Sequence, residues 1–138
     1  MYQANDVLAL GADTSSEDEA CRSVASALLE RYAFRAAALT VRRTFSASRN
    51  GFFAMICDGG GSYFSEKYET DVVDRVGSGD AFSGALIAEL ARGGSYRDAV
   101  RYAAAAAALK HSVRGDIAIL SDADIRALAG GDAGRTVR

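Results

Sequence analysis

The sequence predicts one α/β domain with a β-hairpin and a pair of alanine-rich helices. Short apolar runs suited to strands alternate with a helical segment in the first half of the chain. Two β-prone runs flank a glycine-rich turn near the middle, and helical, alanine-rich segments follow them. Strands mixed with helices and then paired helices are typical of a layered α/β unit. The length of 138 residues corresponds to about one domain, which we expect to cover residues 1–138.

Four segments are expected before the hairpin. They are a buried strand at 6–10, a helix at 16–32, a second buried strand at 36–41 and a polar interval at 42–50. Turn-forming residues at 11–15 separate the first strand from the helix. Ser16, with Glu19 three residues later, forms a capping-box pattern, so the helix is expected to begin there.

The hairpin is predicted from residues 52–57 and 63–68, which flank a turn at 58–62 with three consecutive glycines. A phosphate-binding loop is the alternative interpretation of this turn. Because no helix follows the glycines, and an anion-binding loop needs one, the hairpin is favoured.

The second half of the chain is predicted to be helical. Its segments are a helix at 79–91 ending at Gly93 and Gly94, a helix at 95–111, a short helix at 122–128 capped by Ser121, and a loose tail at 130–138. In the second of these helices Ser95 and Asp98 form the cap, and six consecutive alanines indicate close packing against a neighbour.

Composition limits the classes of function. The apolar fraction of 49% is enough for a hydrophobic core, and a net charge of −2 gives no electrostatic footprint for nucleic acid or a membrane surface. Cys21 and Cys57 are expected to be two buried thiols in a reducing cytoplasm. Residues 1–10 lack the basic start of a signal peptide, and no apolar run is long enough to span a membrane.

The stretch most informative about chemistry is 74–84, where two glycines precede a helix. Gly77 and Gly79 are expected to adopt positive φ and to gather successive N–H groups at the positive end of the helix dipole. This would form an anion hole, with the Asp80 carboxylate beside it. A plain glycine loop with Asp80 as a helix-start carboxylate is the alternative. Neither the Walker A pattern nor the dinucleotide fingerprint is present.

The motif at 74–82, Asp-Arg-Val-Gly-Ser-Gly-Asp-Ala-Phe, resembles the C-terminal signature of the ribokinase-like (PfkB) sugar kinases, D-x-x-G-A/S-G-D-S/A-F. Residues 40–51, 73–77 and 107–116 are similar to the 2-keto-3-deoxygluconate kinase branch. The resemblance covers about residues 6–128 and implies a partial ribokinase-like three-layer α/β/α domain, its C-terminal half. It also implies ATP-dependent phosphorylation of a sugar or sugar acid, in this branch 2-keto-3-deoxygluconate to its 6-phosphate.

The resemblance assigns roles to the residues of the motif. Asp80 corresponds to the catalytic base, which takes a proton from the sugar hydroxyl. The amides of Gly77, Ser78, Gly79 and Asp80 correspond to the anion hole for the transferring phosphoryl group, chemistry that depends on positioning and charge stabilisation.

The resemblance also implies contacts with ATP. The positions concerned are Thr40, Arg42, Gly77, Gly79, Ala108, His111 and Gly115. The sequence departs from the family where a basic-x-Gly pattern is replaced by Thr40-Val41-Arg42, so Arg42 is either a phosphate contact or a solvated arginine. His111 corresponds to the rim of the adenine pocket, or else is a helix-end residue that complements the dipole.

Two metal sites are implied in the same way. Glu19 corresponds to a glutamate that organises Mg²⁺ through water, although its capping box explains it equally well. Asp74 and the carbonyl of Val76 correspond to positions that bind a monovalent cation in some relatives.

The resemblance implies a protein roughly twice as long as this chain, so we expect that the half that binds the sugar is missing here. Three interpretations follow: part of a sugar kinase, a non-enzymatic nucleotide-binding domain that pairs with another chain, or a small interaction module. The partners implied are ATP, a sugar acid, and a missing N-terminal half or a second copy. The kinase interpretation is the one we adopt.

Overall fold

The computed structural model describes residues 16–46 and 49–130. The described elements, in chain order, are α1 Glu17–Tyr32, β1 Ala36–Thr44, β2 Arg49–Asp58, β3 Gly61–Phe64, β4 Tyr68–Asp71, α2 Ser78–Ala91, α3 Tyr96–Lys110 and α4 Asp122–Ala129. The strand expected at 6–10, the turn at 11–15 and all but the first residue of the tail at 130–138 lie outside the described residues. None of these four helices is long and apolar enough to cross a membrane.

β2 is the central strand of an antiparallel sheet. β1 pairs with it from Ala36 opposite Asp58 to Thr44 opposite Asn50. The polar interval predicted at 42–50 is therefore wrong, because both strands continue into it and only a short connection joins them. The strand expected at 36–41 is confirmed, but its expected burial is wrong, since Ala37 alone in that run is buried. β1 lies at the sheet edge, while α3 packs mainly on β2, β3 and β4.

The glycine-rich turn closes a β-hairpin, as predicted. Asp58 pairs with Gly61 across a two-residue loop, and the Asp58 carboxylate accepts hydrogen bonds from the N–H groups of Gly60 and Gly61, each at 2.8 Å. The aspartate side chain thus stabilises the turn locally.

The run at 63–68 forms two strands rather than the single strand predicted. Phe64 pairs with Met55 and Tyr68 with Phe52, so three residues lie opposite two and the strand is bulged. At the bulge the Ser65 hydroxyl accepts a hydrogen bond from the buried Ala54 N–H at 2.9 Å, which compensates for the interrupted ladder.

The sheet separates two helical layers, which gives the predicted three-layer α/β/α arrangement. Alternate residues of β2 face opposite sides because side chains alternate along a strand. One face carries Phe52, Ala54 and Ile56, which pack with residues of α2, α3 and α4. The other carries Phe53, Met55 and Cys57, which pack with Cys21 and Ala25 of α1. Both cysteines are buried and unpaired, as predicted.

α3 lies between the sheet and the other two helices on its face. Its six consecutive alanines, 103–108, are at most 2% exposed. Small side chains let the helix approach β2 on one side and α2 on the other, and alanine has the highest helix propensity. The prediction of a closely packed alanine helix is confirmed.

Candidate functional site

The N-terminus of α2 differs from that of the other three described helices. α1, α3 and α4 begin with Ser16, Ser95 and Ser121, each of which accepts a hydrogen bond from a backbone N–H of the first turn. α2 begins after Gly77, which has no side chain to form such a cap. The first turn of α2 therefore keeps its backbone donors available for another acceptor.

Gly77 is required by both conformation and space. Its φ of 78° lies in the left-handed region, and a Cβ atom there would lie 2.2 Å from the carbonyl oxygen of Asp116. The positive φ expected at Gly77 is confirmed, whereas that expected at Gly79 is wrong. Gly79 lies within the first helical turn, with nothing within 4 Å of the place its Cβ would take.

Three successive amides form the positive end of the α2 dipole. The first hydrogen bond within the helix runs from Ala81 N–H to the Gly77 carbonyl at 2.9 Å. The N–H groups of Ser78, Gly79 and Asp80 precede that bond, so they have no acceptor inside the helix. Gly79 and Asp80 are exposed. This geometry can bind an anion such as a phosphate group.

Arg42 lies beside this turn, although it is 36 residues earlier in the chain. Its Nη2 donates a hydrogen bond of 2.8 Å to Ser78 Oγ, and Ser78 Oγ donates in turn to the Arg75 carbonyl at 3.2 Å. The next residue, Arg43, points the other way and hydrogen-bonds Glu17 of α1 at 2.7 Å. β1 thus places the guanidinium of Arg42 beside the first turn of α2 and the guanidinium of Arg43 against α1.

Asp74 connects the loop at residues 73–78, which we call the signature loop, to the loop after α3. Its carboxylate accepts hydrogen bonds from Val76 N–H at 3.0 Å and Gly115 N–H at 2.9 Å. These two bonds hold the pKa of the Asp74 carboxyl below its ordinary value. Gly115 has a φ of 85°, which favours glycine at this contact. The carboxylate therefore shapes the loop, and the monovalent cation expected at Asp74 and Val76 stays a prediction.

His111 is an interior residue rather than a rim residue. Its ring is 0% exposed and lies 6.1 Å from the Phe52 ring, and Nδ1 is 2.8 Å from the Ala107 carbonyl oxygen. Burial lowers the pKa of His111, and the positive charges of Arg42, Lys110 and Arg75 lower it further. The alternative interpretation of His111 as a helix-end residue is confirmed, since His111 is the C-cap of α3, and its lowered pKa disfavours the charged form of the ring there.

Other predicted residues are distributed around this site. Ala108 is fully buried in the last turn of α3, and Thr40 is exposed on β1. Glu19 is exposed in the first turn of α1, in the layer on the other side of the sheet from α2. Among the described residues, no group of three or more histidine, cysteine or carboxylate side chains could hold a metal ion.

Sequence reasoning missed Asn50 and Thr70. They face each other on β2 and β4, are at most 3% exposed, and lie on the sheet face that supports the signature loop. Arg75 Nη2 lies 3.5 Å from Asn50 Oδ1. The alternation of β2 places Asn50 on the same face as Phe52, a signal that was hidden because residues 42–50 were interpreted as a loop.

Comparisons with known proteins identify the family of the chain. Residues 31–123 match the model of the pfkB family of carbohydrate kinases. A 2-dehydro-3-deoxygalactonokinase from Haloferax volcanii is 45% identical over 82 residues, which are 59% of this chain and 26% of that protein.

Two solved structures are similar to this chain over most of its length. The chain superimposes on a 2-dehydro-3-deoxygluconokinase from Thermotoga maritima with a TM-score of 0.84 and 35% identity, covering 92% of this chain and 38% of that one. It superimposes on a PfkB family carbohydrate kinase from Listeria grayi with a TM-score of 0.77 and 28% identity, covering 94% of this chain and 40% of that one. The chain thus spans less than half the length of each of these relatives.

Proposed function

The chain belongs to the pfkB family of carbohydrate kinases, and from that premise we propose that it supplies the phosphate-binding and proton-accepting part of an ATP-dependent sugar kinase. The observation that carries the proposal is the uncapped N-terminus of α2, with Arg42 hydrogen-bonded to Ser78 and with Asp80 exposed in the same turn. Backbone N–H donors and a cationic side chain suit the stabilisation of the transferring phosphoryl group, and a carboxylate suits the acceptance of the hydroxyl proton.

Each of these groups has a chemical role in the proposed reaction. The Asp80 carboxylate accepts the proton of a sugar hydroxyl while the hydroxyl oxygen attacks the γ-phosphorus of ATP. The bond between that phosphorus and the bridging oxygen breaks, and ADP leaves. The amides of Gly77, Ser78, Gly79 and Asp80, together with Arg42, stabilise the charge on the transferring phosphoryl group.

The loop after α3 is proposed to hold the nucleoside end of ATP. Asp74 ties this loop to the signature turn through Gly115. Val76, Ile117 and Ile119 are more than half exposed on the two loops. Such apolar side chains are suited to covering a planar base. In this arrangement Ala108 and His111 support the site from within, and Thr40 lies at its β1 side.

Mg²⁺ is proposed to enter with the nucleotide. This ion commonly uses one or two carboxylates together with substrate phosphates rather than a cage made of protein alone. Because Asp80 is the proposed proton acceptor, the nucleotide phosphates and water would supply most of the Mg²⁺ ligands. Glu19, in a different layer, would contribute only through water. Bound Mg²⁺ would supply charge neutralisation at the phosphates.

The proposed substrate is a 2-keto-3-deoxy sugar acid, with 2-keto-3-deoxygluconate converted to its 6-phosphate as the first candidate. The names of the Haloferax and Thermotoga relatives support this class and make the galactonate form the second candidate. The remainder of the substrate site is proposed to come from a missing N-terminal half or from a second copy, because the chain spans only 38% of the Thermotoga kinase.

Titration calorimetry with ATP and Mg²⁺, followed by ADP and AMP, tests the nucleotide site. We expect ATP and ADP to bind and AMP to bind more weakly, because the proposed contacts are with terminal phosphates. A phosphorylation assay with the two sugar acids then tests catalysis. Binding without phosphorylation would favour the non-enzymatic nucleotide-binding alternative, and the absence of binding in a folded sample would refute the nucleotide site.

A further inference from the structure

Three buried polar side chains lie on elements that pack against one another near the signature loop: Asn50 on β2, Thr70 on β4 and His111 at the end of α3. Asn50 and His111 are 0% exposed and Thr70 is 3% exposed. Asn50 and Thr70 are directly opposite each other on β2 and β4. The His111 ring packs against Phe52, the next residue of β2 on the same face.

Each of the three has a buried polar atom without a hydrogen-bond partner among the described residues. The atoms are Asn50 Nδ2, Thr70 Oγ1 and His111 Nε2. Buried polar groups are nearly always hydrogen-bonded, because leaving one unsatisfied forfeits its interaction with water. Three such atoms in one part of the core therefore indicate a shared partner.

The chemistry of the three atoms is complementary. His111 Nδ1 faces the Ala107 carbonyl, which can only accept, so Nδ1 carries the proton and Nε2 of the neutral ring is an acceptor. Asn50 Nδ2 is a donor, and the Thr70 hydroxyl can donate or accept. A water molecule that donates to Nε2 and accepts from Nδ2 satisfies this set, and buried waters commonly make about three hydrogen bonds.

The cluster is connected directly to the signature loop. The His111 carbonyl accepts hydrogen bonds from the N–H groups of Val73 at 2.8 Å and Asp74 at 3.2 Å. Asn50 Oδ1 lies 3.5 Å from Arg75 Nη2, and Arg75 in turn accepts from Ser78 through its carbonyl. The His111 carbonyl thus contacts Val73 and Asp74 of the loop, and the Asn50 side chain lies near Arg75.

We infer that Asn50, Thr70 and His111 enclose a buried water molecule and that this hydrated cluster is a positioning element for the loop that presents the α2 amides. The effect of this cluster on ligand binding rests on the proposed function. The presence of the water and the effect of the cluster on the loop do not depend on that function. The three side chains act through the loop and touch no substrate.

The first test asks whether Thr70→Val raises or lowers the stability of the folded protein. Thr70→Val keeps the shape of the side chain and removes its hydroxyl. If the hydroxyl binds the water, the folding equilibrium constant falls by about fivefold, whereas an unsatisfied hydroxyl would make the valine variant more stable. Thr70→Ser restores the hydroxyl and is expected to lie closer to the original protein. Urea unfolding measures all three, and a stabilised Thr70→Val would overturn the inference.

The second test follows the cluster and the loop by NMR. His111 is the only histidine, so ¹⁵N-histidine labelling gives one ring whose Nε2 signal should report a hydrogen bond with water. In Thr70→Val we expect this signal and the amide signals of residues 73–80 to shift. The control is Ser65→Ala, which loses a buried, hydrogen-bonded hydroxyl at the β3–β4 bulge and should leave them unchanged.

Unmoved amide signals at residues 73–80 in Thr70→Val would overturn the positioning role. An ATP titration of the unaltered protein separates this result from a failure of the proposed function. If the signals shift as expected but ATP does not bind, the cluster still positions the loop, and the nucleotide site is the part that fails.

Discussion

Arg42 of β1 and Ser78 of α2 are joined by a hydrogen bond of 2.8 Å across 36 residues of sequence. The bond brings the guanidinium of an edge strand to the first turn of the only described helix that begins without a serine cap. In the proposed site, a fixed positive charge beside three backbone donors would bind an anion more strongly than the helix end alone, because charge-assisted hydrogen bonds are about twice as strong as neutral ones.

The first prediction concerns this arginine. Arg42→Ala should weaken binding of ATP by roughly tenfold while leaving the fold intact, because it removes one charge-assisted contact. Arg43→Ala is the matched control, since Arg43 is adjacent but bonds Glu17 on the opposite face. Calorimetric titration of both variants makes the comparison. Equal losses of affinity would show that general surface charge, and not the Arg42 position, is responsible.

The second prediction compares two glycines of the same turn. Gly77→Ala should lower the free energy of unfolding by about 2 kcal/mol or more, because alanine resists a φ of 78° and its Cβ would collide with the Asp116 carbonyl. Gly79→Ala, in helical conformation with open space, should be neutral or stabilising by up to about 1 kcal/mol. Urea denaturation of the pair measures this contrast. Similar values for both would refute the assigned loop geometry.

The third prediction tests Asp80 as the base. Asp80→Asn should abolish most sugar phosphorylation while changing ATP affinity little, because the amide keeps the size of the side chain but cannot accept the proton. Asp98→Asn provides the control, since Asp98 occupies the equivalent third position of α3. Steady-state rates and calorimetric affinities are measured together. Normal turnover in Asp80→Asn would remove the base from the mechanism.

The fourth prediction uses the lowered pKa of buried His111. The unfolded chain binds a proton at His111 near pH 6.5, whereas the folded protein resists it until a lower pH. Stability should therefore fall as the pH drops below about 6.5, by at most about 1.4 kcal/mol per pH unit, and the loss should end at the folded pKa. Above pH 7 this group contributes no slope.

His111→Gln is the comparison for that prediction, because glutamine does not titrate. Urea unfolding at intervals between pH 7.5 and 5 should give a shallower slope for the variant than for the unaltered protein. Parallel slopes would show that His111 is accessible and titrates normally in the folded state.

Local chemistry explains which predictions succeeded. Ser16, Ser95 and Ser121 begin their helices as predicted, because a cap is formed by atoms within three residues of one another. The Asp58–Gly61 turn succeeded for the same reason. The extension of β1 through Arg42 and Arg43 was missed, because polar residues join a strand only when a neighbouring strand supplies their backbone partners.

By itself, the sequence determined the helix ends, the hairpin turn, the close-packed alanine helix and the motif that marks the chain as a kinase relative. These depend on contacts between residues near one another in the chain. Tertiary structure alone decided that Arg42 reaches Ser78, that His111 is buried, and that Asn50 and Thr70 face each other in the core. Those properties depend on which strand and helix faces meet, and on how far each side chain is removed from water, and no local pattern specifies either.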